Sequence, residues 1–402
     1  MKMNVWIKVL AAAALSCGTT LVIAQDREER SAKATLAEVG LAFKDIPDLA
    51  KAIVIEDPTG IGGGSNVFAG TLDLDDRSRD RLADLAREIG DAKHGKFDSL
   101  LVVHKNKLVF ESYYLRGRID LPHPQASATK AYTGLAIGRA IELGYLTMSD
   151  LDKPLIGFLN DLDPSKFVPG ADKITLHKAM TMRSGIRISK DKKEELNGNH
   201  TLVKGQKHVQ AYLEHSEPIT KQSQSFLYQD DPRLVMQVLE AVVPGTAKEF
   251  IERELLDKLG ITNFEWKTDI NGLPQSGSRT SMTSRDMVKW GTLVRNKGRW
   301  GGKQLVSEAF ITKAIDRIVY TGDEDVHFGG PDVTKQGYGY FWWGTDLNFN
   351  NTDYSSVSAQ GGWGQLITLV DELDLMVVIT GHDNDTPYLQ IVAERVLPVF
   401  IQ

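Results

Sequence analysis

Residues 127–140 read SATKAYTGLAIGRA, a mostly apolar run that opens on Ser127 and carries Lys130 three residues later. Side chains three residues apart share a helix face, so the Lys130 amine can reach the Ser127 hydroxyl. A helix N-terminus also presents free backbone N–H groups and the positive end of the dipole, which favour an oxyanion beside Ser127. A lysine with a depressed pKa can accept the serine proton. The same pattern is typical of a serine N-cap followed by a solvated lysine, so other segments must decide.

Further segments follow the Ser127 run in a definite order. They read ITLHKAMTMRSG at 174–185, FLYQD at 226–230 and AQGGWGQ at 359–365. Shorter ones lie between them, namely MTSRDM at 282–287, GRWGGK at 298–303 and YGYFWW at 338–343. In order and spacing, the set resembles the serine β-lactamase-related hydrolases: class C β-lactamases, DD-peptidases, esterases of that fold and 6-aminohexanoate-dimer hydrolases. The resemblance covers residues 97–402.

The resemblance implies a role for each matching residue. Ser127 would be the nucleophile that forms an acyl-enzyme, Lys130 its activator, and Tyr228 the group that shuttles the proton to the leaving group. Backbone N–H groups of Ser127 and Trp363, the latter on the strand after Gly361 and Gly362, would form the oxyanion hole. Glycines at those positions would let that strand approach the acyl group closely. Whether Tyr228 or Lys130 is the general base stays open.

Two departures from the family pattern bear on the substrate. Position 230 is Asp where the family usually has Asn, and position 360 is Gln where lactamases carry a cationic Lys. Gln360 can donate a hydrogen bond but no charge, and Asp230 would repel an anion. We therefore expect a neutral or cationic ester or amide, with esterase activity favoured. An amidase, a D-amino-acid peptidase, a β-lactamase and a catalytically silent binding homologue remain alternatives. Trp343 could stack a flat substrate or pack in the cleft wall.

Composition excludes several other classes of protein. The chain of 402 residues carries 47 basic and 53 acidic side chains, and this net charge of −6 gives no reason to expect nucleic acid as a partner. The single cysteine, Cys17, excludes a disulfide scaffold and a zinc site built from cysteines. We expect no cofactor and no metal, and we interpret the HDND run at 382–385 as a polar turn. A small-molecule ester or amide is the expected partner, and the oligomeric state stays open.

The first residues have the pattern of a secretory signal peptide. Lys2 and Lys8 precede an apolar run at 9–15, and small or permissive residues allow cleavage after Ala24. Residues 1–24 are therefore predicted to be removed, which leaves a periplasmic or secreted protein without a stable membrane span. A lipoprotein anchored at Cys17 is the less favoured alternative, because Leu15 lies one place too close to it.

Three regions and a mixed fold are predicted for the whole chain. After the signal peptide, residues 25–95 form an extension with a glycine-rich linker at 59–65 and one amphipathic helix at 78–92. Residues 96–402 form the hydrolase domain. Its predicted elements are a hairpin at 100–110, a helix from 127 to 143, a mostly helical insertion at about 150–270, strands at 337–343, 366–370 and 375–380, and a helix at 389–399. The fold class is α/β (α+β), the β-lactamase/transpeptidase-like fold, an antiparallel sheet flanked by helices.

Overall fold

The computed structural model describes residues 32–56, 58, 69–70, 75–323 and 326–401. The predicted signal peptide at 1–24 and the predicted glycine-rich linker at 59–65 lie outside the described residues. Within them, the strands are β1 Ile53–Ile55, β2 Phe97–His104, β3 Lys107–Tyr113, β4 His123–Pro124, β5 Phe264–Trp266, β6 Thr280–Met282, β7 Arg299–Trp300, β8 Lys303–Gln304, β9 Val319–Gly322, β10 Val333–Tyr338, β11 Trp343–Phe349, β12 Thr352–Gly361, β13 Gln365–Val370 and β14 Leu375–Gly381.

Helices fill most of the chain between the early and the late strands. The α-helical segments are Asp76–Gly90, Thr129–Glu142, Leu176–Met180, Lys190–Asn197, His200–Val203, Lys207–His215, Pro232–Val242, Ala247–Ile251, Asp257–Leu259, Ser284–Arg295, Glu308–Ala314 and Tyr388–Ile391. Glu252–Leu256 and Val392–Val396 are π-helical turns. Short 3₁₀ turns occur at Phe43–Asp45, Ala126–Ala128, Met148–Asp152, Leu155–Phe158, Pro164–Lys166, Ala171–Lys173, Asp371–Leu373 and Leu397–Val399.

The central layer is a sheet of nine strands in the order β1-β3-β2-β14-β13-β12-β11-β10-β9, and every neighbouring pair is antiparallel. The N-terminal hairpin β2–β3 therefore pairs with β14, near the other end of the chain. This confirms the prediction that strands from both ends of the chain form one layer, with the helical region inserted between them. The fold is the antiparallel sheet flanked by helices that the family resemblance implied.

Strand β2 shows why the sheet lies in the middle of the molecule. Its run Leu100-Leu101-Val102-Val103 is buried on both faces. Leu101 and Val103 belong to the larger core beneath the helical region, whereas Leu100 and Val102 belong to a second core on the opposite face. A strand that is buried on both faces needs apolar side chains at consecutive positions, which is why the sequence shows no alternation here.

A central helix, Thr129–Glu142, crosses the larger core and holds the end of the SATK motif. Its side chains from Thr129 to Ala140 are all buried. Tyr132 stacks on Trp290 with ring centroids 4.8 Å apart. A Cβ at Gly138 would lie 2.5 Å from a ring carbon of Phe310, so this face accepts only glycine. Because the helix is packed on all sides, the side chains at its N-terminus are held in fixed positions.

The described part of the N-terminal extension is joined to the same sheet. Strand β1 pairs with β3, and helix Asp76–Gly90 buries its Leu82, Leu85 and Ile89 side chains in the second core. Asp75 caps this helix by accepting a hydrogen bond from the Ser78 N–H. The predicted amphipathic helix is thus confirmed, with its N-terminus two residues earlier than expected. The boundary of the hydrolase domain at residue 96 stays a prediction.

The predicted strand at 337–343 is wrong. Residues 339–342 form the turn between β10 and β11, in which the Gly339 N–H donates to the Trp342 carbonyl at 2.8 Å. Gly339 packs so closely on helix Glu308–Ala314 that a Cβ would lie 2.1 Å from the Ala314 carbonyl oxygen. The turn is therefore buried, and a buried turn has the same apolar composition as a strand. Among the described residues, no helix combines the length and apolar character that a bilayer crossing requires.

Candidate active site

Ser127 lies in a 3₁₀ turn, Ala126–Ala128, directly before the central helix. Ala126 has φ +45, a left-handed conformation that costs a residue with a Cβ about 1–2 kcal/mol. The Thr129 hydroxyl donates to the Ala126 carbonyl at 2.7 Å and supports this turn. The sequence predicted that the helix opens at Ser127. The regular helix begins two residues later, and the strained turn presents the Ser127 hydroxyl to a cleft.

Lys130 is oriented toward Ser127 as the spacing predicted. Its Nζ donates to Ser127 Oγ and to the Gly277 carbonyl, both at 2.9 Å. The side chain is only 7% exposed. Burial lowers the pKa of Lys130 to about 8, although the charge of Asp230 acts in the opposite direction. A substantial fraction of Lys130 is therefore neutral near pH 8, where it can accept a proton from Ser127.

Tyr228 is the third member of a group that it forms with Ser127 and Lys130. Its ring lies 4.6 Å from Lys130 Nζ, and its hydroxyl is hydrogen-bonded to Ser127. The tyrosine is 38% exposed as a whole, so the desolvation acts at the hydroxyl end rather than on the entire side chain. This burial raises the pKa of Tyr228 to about 12, and the hydrogen bond to Ser127 offsets part of the rise. In the free protein, Lys130 is therefore the more readily deprotonated of the two.

Packing and hydrogen bonds hold the segment that carries Tyr228. The Leu227 N–H donates to the carbonyl of Met182, which lies near the end of the 174–185 segment. Ser184, two residues on, donates its hydroxyl to Asp231 at 2.7 Å. Burial raises the pKa of Asp231 to about 6, against the effect of the hydrogen bonds from Ser184. Trp343 packs beside Tyr228 with ring centroids 5.5 Å apart. Trp343 thus supports Tyr228, and it lines neither of the two pockets next to Ser127.

Asp230 lies in a small polar pocket of about 210 Å³ beside Ser127 and Lys130. Its carboxylate forms an ion pair of 3.2 Å with Lys193. Burial alone would raise the pKa of Asp230, but the charges of Arg233 and Lys193 lower it below its usual value. The negative charge of Asp230 is therefore balanced by cations on the protein, which reduces the repulsion of an anion that the sequence predicted.

Gln360 does not reach the cleft, which corrects its assignment as a substrate-binding residue. The side chain is 3% exposed and donates from Nε2 to Ser358 Oγ at 2.8 Å. Its Oε1 is buried without a hydrogen-bond partner among the described residues. Strand residues alternate between faces, and on β12 the side chain of Gln360 turns away from Ser127, whereas Gly361 faces the Ser127 turn.

Gly361 and Gly362 bring the end of β12 against the turn that carries Ser127. A Cβ at Gly361 would lie 2.2 Å from the Gln125 carbonyl oxygen and 3.0 Å from the Ala128 N atom. Only glycine permits this approach of the strand end to the turn, whereas the implied approach to an acyl group stays a prediction. Gly362 follows the strand and lines the same cleft as Ser127.

Trp363 was expected on the strand with a free N–H, and the structure corrects both points. It lies in the turn between β12 and β13 with φ +66, and 57% of its surface is exposed at the cleft. Its N–H donates to Asn384 Oδ1 at 2.5 Å. Two glycines in sequence leave the strand end undetermined, so the sequence could not show that the turn begins before Trp363.

A large cleft of about 930 Å³ opens on the other side of Ser127. Leu121, Pro122 and Pro124 provide apolar surface there, and Leu41, Phe43 and Ile46 of the N-terminal extension line the same cleft. Arg279 also lines it, with φ +62 and an exposed side chain. In the part of the chain that the structure describes, the Arg279 guanidinium has no ion-pair partner. The cleft therefore combines apolar walls with the Arg279 cation and with Lys267, whose ammonium lies 3.6 Å from the Glu265 carboxylate in the same cleft.

A buried group of two histidines and an aspartate lies beneath the cleft, and sequence reasoning missed it. His123 Nε2 and His382 Nδ1 each lie 2.9 Å from Asp98 Oδ2, and Asp98 is fully buried. Burial would raise the pKa of Asp98, but the hydrogen bonds from both histidines lower it. His382 begins the predicted polar turn, in which the Asp385 N–H donates to Asp383 at 2.9 Å. No local signal could reveal the partner of His382, because Asp98 lies 284 residues away.

Among the described residues, no group of three or more histidine or carboxylate side chains is arranged to hold a metal ion.

Comparison with known proteins gives a family model and a set of structural neighbours. The model described as Beta-lactamase matches residues 82–398. No curated protein sequence matches the chain.

Similar solved structures include a Bacillus anthracis protein provisionally described as a 6-aminohexanoate-dimer hydrolase (TM-score 0.60, 18% identity, 83% of this chain and 87% of that chain). A class C β-lactamase has a TM-score of 0.58 and 13% identity over 83% of this chain and 99% of that chain. EstCE1, a hydrolase with promiscuous acyltransferase activity, has a TM-score of 0.58 and 14% identity over 80% of this chain and 98% of that chain. At these identities, the likeness to solved structures shows the fold alone.

Proposed function

The chain belongs to the Beta-lactamase family, and from that premise we propose that it is a serine hydrolase that forms an acyl-enzyme at Ser127, with an ester as the favoured substrate and an amide next. The observation that carries this proposal is the 2.9 Å contact between Ser127 Oγ and Lys130 Nζ beside the Tyr228 hydroxyl. A serine becomes a competent nucleophile when an adjacent base can take its proton.

Acylation follows from these three side chains. Neutral Lys130 accepts the Ser127 proton while Ser127 Oγ attacks the substrate carbonyl carbon. We propose that the backbone N–H groups of Ser127 and Gly362 stabilise the negative charge that develops on the carbonyl oxygen, because both residues line the cleft and the Trp363 N–H already donates to Asn384. When the tetrahedral intermediate collapses, Tyr228 donates its proton to the leaving oxygen or nitrogen and regains one from the Lys130 ammonium.

Deacylation uses the same groups in reverse. A water molecule gives a proton to neutral Lys130 and attacks the acyl carbon, and the released Ser127 oxygen is protonated as the acid product leaves. An ester is favoured over an amide because an alkoxide leaves with less proton assistance than an amine. The raised pKa of Tyr228 makes it a weaker proton donor, which disfavours the amide more than the ester.

The expected preference for neutral or cationic substrates rested on Gln360 and Asp230, and neither residue now argues for it. Gln360 is buried, and the charge of Asp230 is balanced by Lys193 and Arg233. Among the described residues that line the large cleft, the charged ones are Arg279 and the ion pair of Lys267 with Glu265, which leaves a net positive charge there. We propose a neutral substrate, or one with an anionic group in the large cleft.

A catalytically silent binding homologue is the second candidate. The hydrogen bond from Trp363 N–H to Asn384 favours it, because that bond removes one donor from the turn that would hold an oxyanion. The retained Ser127, Lys130 and Tyr228 argue against it. The two candidates differ in whether Ser127 reacts covalently.

A fluorophosphonate probe tests the proposal, with Ser127→Ala as the matched variant. We expect the native protein to be labelled at Ser127 and to hydrolyse short-chain esters faster than amino-acid amides or nitrocefin. Ser127→Ala should keep the fold and lose turnover by several orders of magnitude. Absence of labelling, or a loss of only a few-fold in the variant, would favour the silent homologue. Nitrocefin turnover faster than ester turnover would assign β-lactamase activity instead.

Export is also part of this proposal. Removal of residues 1–24 would deliver the enzyme to the periplasm or the exterior, where its substrate would be a small molecule from outside the cytoplasm.

A further inference from the structure

Residues 32–49 of the N-terminal extension, which we name the strap, are tied to the hydrolase domain at several points. The Ile119 N–H donates to the Ala32 carbonyl at 2.9 Å, and the Leu49 N–H donates to the Leu115 carbonyl at 2.7 Å. Arg118, almost fully buried, forms an ion pair of 2.5 Å with Glu38. Arg118 also donates to the Pro47 carbonyl at 2.9 Å. The strap therefore has a fixed path across the domain.

Phe43 lies in the middle of the strap, on the buried histidine group. Its ring centroid is 4.3 Å from that of His123, in an edge-on arrangement, and 6.3 Å from that of His382. The Arg116 guanidinium lies 5.6 Å from the same ring, a cation–π distance. Because both histidines are hydrogen-bonded to Asp98, they form a fixed surface against which the Phe43 ring packs. Phe43 is half-buried, and its remaining surface lines the large cleft.

The histidine support also ties Phe43 to the candidate catalytic residues. His123 precedes Ser127 by four residues, and its carbonyl accepts a hydrogen bond from the Gln125 side chain at 2.8 Å. His382 begins the turn whose Asn384 accepts the Trp363 N–H. The position of Phe43 is thus fixed relative to both sides of the cleft at Ser127.

We infer that the strap supplies a substrate-contacting wall of the active-site cleft, and that Phe43 determines specificity for an apolar group of the ester. This inference rests on the proposed function and names the substrate class: esters with an alkyl or aryl group larger than methyl on the side of Ser127 that faces the strap. Leu41, Ile46 and Pro122 line the same cleft and extend the apolar surface around that group. Burying each further CH₂ of the substrate against such a surface strengthens binding.

Phe43→Ala tests the inference in the full-length protein. Two ester series separate the two sides of the scissile bond: p-nitrophenyl esters with acyl groups from acetyl to octanoyl, and acetates of alcohols from methanol to octanol. In one of the two series, Phe43→Ala should lower kcat/KM for the longest ester about tenfold or more relative to the shortest, mainly through KM. Phe43→Leu should show a smaller loss of the same kind.

Leu36→Ala is the matched control, since Leu36 belongs to the strap, is 96% exposed and does not line the cleft. It should leave the length dependence of both series unchanged. If Phe43→Ala also leaves it unchanged, or lowers all esters equally, the inference is overturned.

A binding measurement separates this inference from the proposed function. On the Ser127→Ala background, calorimetry with p-nitrophenyl octanoate and octyl acetate measures how strongly the cleft binds each ester in the absence of turnover. We expect at least one of the two esters to bind about tenfold more weakly when Phe43→Ala is added. Unaltered binding of both would overturn the inference, whatever the catalytic results. Weakened binding in a protein that never labels at Ser127 would support the wall and reject the hydrolase.

Discussion

Lys130 has a pKa near 8 because its ammonium is buried beside Ser127 with one balancing carboxylate at a distance. In the proposed mechanism, the proton on this amine decides whether Ser127 can be activated. A lysine in water is neutral only above about pH 10 and is a poor proton acceptor at neutral pH. At the residue scale, therefore, burial gives Lys130 the pKa that the proposed general base requires.

The pH dependence of ester hydrolysis should report this pKa. If neutral Lys130 is the base, kcat/KM rises with pH and levels off above about pH 8, where the amine is deprotonated. Asp230→Asn should move the midpoint to lower pH, because the Asp230 charge raises the Lys130 pKa. The measurement is a pH–rate profile of both proteins, corrected for spontaneous hydrolysis. A plateau that extends below pH 6 in the native protein would exclude Lys130 as the base.

Arg279 should discriminate between substrates by charge. Arg279→Gln is expected to lower kcat/KM for an ester with a terminal carboxylate by about two- to tenfold relative to its neutral methyl-ester isostere, and more at low ionic strength. The range is modest because the guanidinium is exposed to solvent. Lys303→Gln removes the same charge from an exposed position outside the cleft and should change neither substrate. Equal effects of Arg279→Gln on both esters would contradict a role for this cation.

At the element scale, the approach of β12 to the Ser127 turn determines where the oxyanion hole can form. Strand β12 ends at Gly361, and its last residue touches backbone atoms of the turn rather than side chains. Backbone atoms cannot rotate out of the way as the end of a long side chain can. A methyl group at this position must therefore move either the strand end or the Ser127 turn.

Gly361→Ala should consequently impair catalysis more than stability. The expected loss of kcat is about 100-fold, because a displacement of about 1 Å between nucleophile and oxyanion donors has effects of this size. The expected loss of unfolding free energy is about 1–3 kcal/mol. Gly157→Ala is the control, since a Cβ at Gly157 has no atom within 4 Å. Kinetics and denaturant unfolding measure the two effects, and a Gly361→Ala enzyme with native kcat would refute the close approach.

At the scale of the whole molecule, both ends of the described chain contribute to one sheet and one cleft. Strand β1 and helix Asp76–Gly90 belong to the same layers as the C-terminal strand β14, and the strap reaches the cleft beside Ser127. Sequence analysis had separated residues 25–95 as an extension. Its described residues pack on the domain and line part of the large cleft, and the boundary between the two stays a prediction.

The mature protein is predicted to begin at Gln25, the first residue of this extension. Mass spectrometry of the protein from its native compartment should find Gln25, in part cyclised to pyroglutamate, as the first residue. An intact Met1 would contradict export, and a lipid on Cys17 would contradict the cleavage site. A protein that retains residues 1–24 in its purified form would serve as the mass reference.

The sequence by itself determined the features that depend on neighbours a few residues apart. The Ser127–Lys130 pair follows from helical spacing, the buried strands β2 and β14 from their apolar runs, and the family from the order of its motifs. The first two are set by local hydrogen bonding and periodicity, which a window of a few residues contains, whereas the family rests on the order of short motifs along the chain. The need for glycine at position 361 was implied by the family resemblance rather than by local periodicity.

The tertiary structure alone decided the charge and shape of the site. Burial lowers the pKa of Lys130, and the alternation of side chains along β12 directs Gln360 into the interior. In the turn after β12, the Trp363 N–H donates a hydrogen bond to Asn384. Asp98 and His382 are hydrogen-bonded although 284 residues separate them in the sequence, and the His382 ring lies next to Phe43 of the strap. Such features depend on which distant segments pack together. Local patterns carry no trace of such a contact, because its partners lie outside any short window of the sequence.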